Sequence, residues 1–182
     1  NWDDLSTINY TSGSTGDPKG VMLTYRNFSA VVDFSQRNVP AGDKMVSMLH
    51  MAHMYGLVIE FIYPLCNGNS IYWLGKAPTP ASLMKAFAEV KPYLLITVPL
   101  VMEKIYKSKL KPTLDKPAMK VLTKIPLINN IIYKKVKDGL VQAFGGKVEE
   151  FIMGGAALNP EVERLFKRIN FPYLVGYGMT EG

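Results

Sequence analysis

The sequence predicts an α/β fold, a mainly parallel sheet flanked by helices. Short β-rich runs alternate with longer stretches of helical periodicity, the pattern of successive βαβ units. Two of the helical stretches carry explicit start signals, and nothing in the chain reads as an internal repeat or a linker.

The elements follow in order. Residues 5–10 alternate apolar and polar, as a half-buried strand does. A Gly/Ser/Thr loop follows, then the apolar run Val21-Met22-Leu23. Thr24 is a capping residue for a helix over 25–36, in which Phe28, Val31 and Val32 recur at helical spacing. Residues 44–49 read as a strand, 55–65 as an apolar helix and 70–74 as the next strand. Thr79-Pro80, a cap followed by proline at the first helical position, opens a helix to about residue 90. Residues 93–98 are β-rich and 99–110 helical. The stretch 111–129, with three prolines and little periodicity, reads as irregular. A helix over 131–144 is closed by Gly145-Gly146; then come a strand (148–153), a helix (160–169) and a last strand (173–175).

The chain has 182 residues, 48% hydrophobic and 20% charged, with 15 Gly and 12 Pro, which excludes collagen, a long coiled coil and a wholly disordered tail. No apolar run approaches the roughly 18 residues of a membrane span. Residues 1–4 lack the basic and apolar regions of a signal peptide, and the single cysteine, Cys66, suits a reducing compartment; the expectation is a cytoplasmic protein. The chain begins without Met and ends in Gly-Tyr-Gly-Met-Thr-Glu-Gly, so it is expected to be a piece of something longer.

The net charge of +6 is unevenly placed: residues 103–138 hold ten Lys and three acids. This segment reads as a solvated surface insertion or as a contact with an anionic membrane. Nucleic acid is not expected as a partner, because the segment's aromatics, Tyr106 and Tyr133, form no stacking series.

The most informative stretch is Tyr10-Thr11-Ser12-Gly13-Ser14-Thr15-Gly16-Asp17-Pro18-Lys19-Gly20. Its glycines permit close backbone approach, so that amide N–H groups can converge on an anion. Thr11, Ser12, Ser14 and Thr15 add hydroxyl donors, and Lys19 adds a compact positive charge suited to phosphate. The spacing matches neither a Walker A loop nor a Gly-x-Gly-x-x-Gly fingerprint. On chemistry alone the stretch is a nucleotide-phosphate site or a Gly/Ser loop between two strands.

The same eleven residues resemble the signature loop of the adenylate-forming superfamily, which includes acyl-CoA synthetases, luciferases and peptide-synthetase adenylation domains. Gly154-Gly155-Ala156-Ala157-Leu158 resembles the family's strand-end turn beside the adenine and acyl pocket, and Gly176-Tyr177-Gly178-Met179-Thr180-Glu181 its next block. The resemblance spans the chain and implies the central part of the large N-terminal domain, with the C-terminal domain absent. It implies ATP, Mg²⁺ and CoA as cosubstrates, and a small-molecule carboxylic acid, a fatty acid, as substrate.

The resemblance also implies roles. Thr11, Ser12, Gly13, Ser14, Thr15, Gly16 and Lys19 would close over the β- and γ-phosphates of ATP. Gly154, Gly155, Ala156, Gly176 and Gly178 would line the nucleotide, with Tyr177 stacked on adenine and Thr180 bonded to the α-phosphate. Glu181, with Thr11 as a weaker candidate, would hold the magnesium. His53, in Met51-Ala52-His53-Met54-Tyr55-Gly56, would border the carboxylate and orient it. The catalytic set is thus Lys19, His53, Thr180 and Glu181.

The Lys-rich stretch resembles an insertion of long-chain acyl-CoA synthetases, which implies an AMP-forming long-chain fatty-acid–CoA ligase with peripheral membrane contact through 103–138. Transfer to a carrier protein, or a non-catalytic nucleotide- or acyl-binding module, are the alternatives. The isolated 182-residue piece is expected to turn over negligibly, since the family's later blocks are missing.

Overall fold

The computed structural model describes residues 1–12, 16–39, 42–75 and 78–181. The chain opens with an antiparallel hairpin, β1 (Leu5–Ser12) and β2 (Pro18–Thr24), in which Thr11 faces Lys19 and Ser12 faces Pro18. Thr24 then caps α1 (Tyr25–Asn38): its hydroxyl accepts from the Asn27 N–H, and Asn27 returns a bond to the Thr24 N–H. β3 (Lys44–Ser47) pairs in parallel with β4 (Ser70–Trp73). Between them runs a continuous helix made of α2 (Met54–Leu57), a π-helical turn (Val58–Ile62) and α3 (Tyr63–Cys66). The predicted helix over 55–65 is therefore correct in place, but its middle is wound wider than an α-helix.

α4 (Pro80–Val90) begins at the expected Thr79 cap and leads to β5 (Leu94–Thr97). β5, β6 (Glu150–Met153) and β7 (Tyr173–Val175) form a three-stranded parallel sheet in that order. The long connection from β5 to β6 holds α5 (Pro99–Ile105), a second π-helical turn (Tyr106–Leu110), α6 (Lys111–Leu114), α7 (Pro117–Leu122) and α8 (Ile128–Ala143). The stretch expected to be irregular is thus mostly short helices, with Pro112 and Pro117 seated in the first turns of α6 and α7. α9 (Pro160–Arg168) joins β6 to β7.

The strands hydrogen-bond as three separate sheets among the described residues, although β3 and β5 lie side by side through side chains. Met45 of β3 packs with Leu94 and Ile96 of β5, and the Thr97 hydroxyl donates to the Met48 sulfur at 3.4 Å. The main core lies between β5–β6 and helices α4, α5, α8 and α9. An aromatic chain runs through it: Phe87 to Phe144 at 5.5 Å between ring centroids, Phe144 to Phe151 at 4.8 Å, Phe151 to Phe171 at 4.5 Å and Phe171 to Phe166 at 4.7 Å. Such tilted pairs strengthen packing beyond the area they bury. The core holds β6 and β7 rigid, and it is their ends that carry the glycine-rich turns.

Candidate active site at the strand ends

In a parallel sheet all strands end on one edge, and ligands of open α/β folds bind outside that edge. β5, β6 and β7 run in register, Thr97 beside Met153 and Met153 beside Val175. The turns that leave them, Val98-Pro99, Gly154 to Ala157 and Gly176 to Glu181, therefore emerge together. Two bonds fix them: the Gly154 N–H donates to the Thr97 carbonyl (3.2 Å) and the Gly176 N–H to the Met153 carbonyl (2.8 Å).

Gly154 is buried because Tyr55 lies on it. A Cβ at Gly154 would stand 2.8 Å from the Tyr55 Cζ, so the ring leaves room only for hydrogen there. The Tyr55 hydroxyl donates toward the carbonyls of Thr97 and Ile152, 3.4 Å from each, and burial raises its pKa far above the ordinary phenol value. Gly155 follows with φ of +84°, the left-handed region that glycine enters without strain. Gly155 and Ala156 are exposed, Gly176 and Thr180 are half-buried, and Tyr177, Gly178 and Glu181 are exposed.

His53 enters from the same side as Tyr55. It caps α2, its Nδ1 accepting from the Tyr55 N–H at 3.1 Å, and the ring is exposed. With Nδ1 used as an acceptor, the neutral imidazole keeps its proton on Nε2, a donor suited to a carboxylate oxygen. The hairpin is joined to this segment by Asn9, whose amide donates to the Ala52 carbonyl at 3.0 Å. The hairpin, the His53 segment and the Gly154 turn are thus linked through Asn9, Ala52 and Tyr55, and the Gly176 turn is joined to them through the Met153 carbonyl.

Within the hairpin Thr11 is half-buried, while Ser12, Gly16 and Lys19 are exposed. Gly13, Ser14 and Thr15, three of the predicted phosphate donors, lie outside the described residues. None of the ion pairs among the described residues uses Lys19 or Glu181.

Three neighbours of the site have no role in the sequence reading: Asn9, Tyr55 and Glu60. Tyr55 stands in the His53 block and in the apolar helix without a function of its own, and the one signal for Glu60 is an acid inside the apolar run 55–65. Glu60 is completely buried, and burial lifts its pKa to about 7 despite bonds from Leu49, Met48 and Ser47 that favour the charged form.

The family model of the AMP-binding enzymes matches residues 1–182. The chain belongs to this family. Among its relatives are long-chain-fatty-acid–CoA ligase 4 of Saccharomyces cerevisiae, 31% identical over 99% of this chain, and long chain acyl-CoA synthetase 3 of Arabidopsis thaliana, 30% identical over 98% of it. The chain spans only 28% and 30% of the length of these two curated relatives. Among solved structures, the adenylation domain of a carboxylate reductase from Mycobacterium chelonae superposes with a TM-score of 0.71 at 25% identity, over 98% of this chain and 27% of that one. ATP-bound MatB from Rhodopseudomonas palustris shares the fold with a TM-score of 0.69 at 24% identity, over 100% of this chain and 30% of that one. The α/β reading and the adenylate-forming resemblance both hold.

Proposed function

We propose that this chain supplies the nucleotide and acyl edge of an AMP-forming ligase, which activates a carboxylic acid with ATP and passes the acyl group to CoA. The observation that supports this most is the meeting of the family's blocks at one edge. The hairpin and the His53 segment are tied by Asn9 to Ala52, Tyr55 lies on Gly154, and the Gly176 turn is bonded to the Met153 carbonyl of the adjacent strand.

The chemistry asks little of acid–base catalysis, since a carboxylate is already ionised at neutral pH. Its oxygen attacks the α-phosphorus, the bond to the β-phosphate breaks, and pyrophosphate departs with the charge. Lys19 and the hydroxyls and N–H groups of Thr11 to Gly16 are suited to stabilise that leaving charge. His53 Nε2 would orient the attacking carboxylate, Thr180 would hold the α-phosphate, and Tyr177 offers its face to adenine. The acyl carbon is then attacked by the CoA thiol, with AMP leaving.

Among the described residues no three His, Cys, Asp or Glu side chains gather as a metal cluster. The family resemblance gives magnesium to Glu181, with Thr11 as a weaker candidate, and a lone carboxylate suits an ion whose shell phosphate oxygens and water would complete. Its chemistry there is to neutralise phosphate charge.

The relatives' names favour a long-chain fatty acid as substrate. The Lys-rich segment supports a place at the cytoplasmic, anionic face of a membrane. Residues 116–137 hold six Lys and no acid, and the tip of α7 and the start of α8 present Val121, Leu127 and Ile131 at 61%, 77% and 59% exposure. Apolar side chains ringed by lysines suit an anionic bilayer, each Lys adding about 1 kcal/mol of attraction. No helix among the described residues is long and apolar enough to cross a membrane. Co-sedimentation of the full-length protein with phosphatidylglycerol vesicles, set against neutral vesicles and against the Leu127→Ser/Ile131→Ser variant, tests this surface. Equal pelleting by variant and wild type would remove it.

The test of the activity is acid-dependent ATP–pyrophosphate exchange by the full-length protein, across carboxylates from acetate to stearate and the amino acids. The expected result is exchange that peaks with long-chain fatty acids. Exchange with an amino or aryl acid would keep the mechanism and change the substrate; no exchange with any acid would favour a non-catalytic binding module.

A further inference from the structure

We infer that Glu60 is a positioning residue, holding the segment that carries His53 in place at the strand edge. The inference rests on the adenylation reading above for its kinetic consequences, though not for its geometry.

Glu60 sits in the π-helical turn Val58–Ile62 and is completely buried. A single oxygen, Oε2, accepts from the Ser47 hydroxyl (3.1 Å), the Met48 N–H (2.9 Å) and the Leu49 N–H (2.8 Å). Oε1 is buried with no partner among the described residues. Met48 and Leu49 lie just past the end of β3, where the strand ladder no longer supplies acceptors. Buried N–H groups must be paired, and the carboxylate does for these two what another strand would have done.

A buried carboxyl group is a costly way to satisfy two amides, and an orphaned oxygen in a native site needs an explanation. The explanation lies in what Leu49 leads to. The chain runs directly into residues 50–53, and the turn is pressed against α2: a Cβ on Gly56 would stand 2.6 Å from the His50 carbonyl oxygen. The His53 N–H donates to the His50 carbonyl (3.0 Å), and His53 then caps α2. The segment is fixed at its start by Glu60, in its middle by Gly56 and at its end by the His53 cap. Of these only the Glu60 contact reaches across from another turn of helix to the strand. The π-helical winding fits this role, since such turns concentrate at functional sites. Tyr55, the titratable neighbour of Glu60, lies on the same helix and covers Gly154, so one element carries both the clamp and the floor of the site.

The experiment uses the full-length protein with Glu60→Leu and Glu60→Gln. Leu fills the space without an acceptor; Gln keeps a carbonyl oxygen for the three donors. Pyrophosphate exchange is measured per active site, counted by the single-turnover pyrophosphate burst, alongside the affinity for ATP and amide hydrogen exchange at Met48, Leu49 and His53. Glu60→Leu is expected to lower kcat per active site about tenfold, with ATP affinity within about twofold of wild type, and Glu60→Gln to recover to within about threefold. Faster amide exchange at Met48 and Leu49 should accompany the loss in Leu and be absent in Gln.

A folded Glu60→Leu protein with wild-type kcat per active site and unchanged amide protection would overturn the inference. So would a Glu60→Gln protein as impaired as the Leu variant. If Glu60→Leu does not fold, the Gln variant decides: kcat per active site within about threefold of wild type with unchanged amide protection supports the inference, and a loss of about tenfold despite the retained acceptor overturns it. If wild type exchanges with no acid, the adenylation reading has failed, and the amide protection alone decides whether Glu60 holds the segment.

Discussion

The candidate site has an inner part and an outer part, and they are built on different principles. Inside, Tyr55 lies half-buried on Gly154, and Glu60, fully buried, ties off the end of β3. Outside, Lys19 and Glu181 are exposed and form no ion pair among the described residues, and the Tyr177 ring is 92% exposed. The inner groups cannot change without moving backbone; the outer ones can change without disturbing it. Geometry therefore belongs to the inner set and charge to the outer set. Substitutions inside should register as stability or position, and substitutions outside as activity or affinity.

The largest expected effect on stability comes from Glu60. Its carboxyl pKa, raised by burial from 4.5 to about 7, makes the neutral form the favoured one in the fold. Its contribution is fully present below the unfolded value and is lost as pH rises through about 7. Glu60→Gln removes that dependence, so from pH 4 to pH 8 the wild type should lose about 3 kcal/mol of stability relative to the variant. Paired urea titrations at the two pH values measure it. A constant difference would show that Glu60 titrates normally and would weaken the division between inner and outer groups.

Next in size is Gly154→Ala. The added methyl meets the Tyr55 ring, which must tilt off the Thr97 and Ile152 carbonyls. Overpacking of this kind costs about 1–3 kcal/mol, read as a lower melting temperature. A Tyr55→Leu background should relieve most of the clash, which sharpens the assignment to that one contact.

Tyr177→Ala is the smallest. A ring so exposed adds nothing measurable to the fold, so the melting temperature should stay as it was. Loss of stacking on adenine should weaken ATP binding by about 1 kcal/mol, some fivefold, in a calorimetric titration. A fall in stability without a change in affinity would place Tyr177 with the inner group.

Much of this was legible in the sequence, and the parts that were not share a cause. Thr24 and Thr79-Pro80 announced α1 and α4 because capping is local chemistry, visible within four residues. The first glycine-rich block stands out by composition, and the blocks at Gly154 and Gly176 by their resemblance to those of the adenylate-forming family. The antiparallel pairing of β1 with β2 departs from the expected parallel pattern, because a connection this short joins strands only as a hairpin. By contrast, the stretch 111–129 hid its short helices because its prolines, which break a helix in the middle, begin one at the first turn. The π-helical turns follow neither the 3.6 nor the 2.0 period. Glu60 reads as an intrusive charge in an apolar helix until its three donors, eleven to thirteen residues away, are placed beside it. Tyr55 and Gly154 are almost a hundred residues apart, and no local pattern can reveal a ring lying on a glycine.

The most direct test of the division is Lys19→Met in the full-length protein, assayed for ATP–pyrophosphate exchange with a long-chain fatty acid while its melting temperature is followed. A loss of about 100-fold or more in exchange is expected, with the melting temperature unmoved, because the role proposed for Lys19 is to stabilise leaving charge and its side chain is exposed. Exchange at the wild-type rate would contradict it.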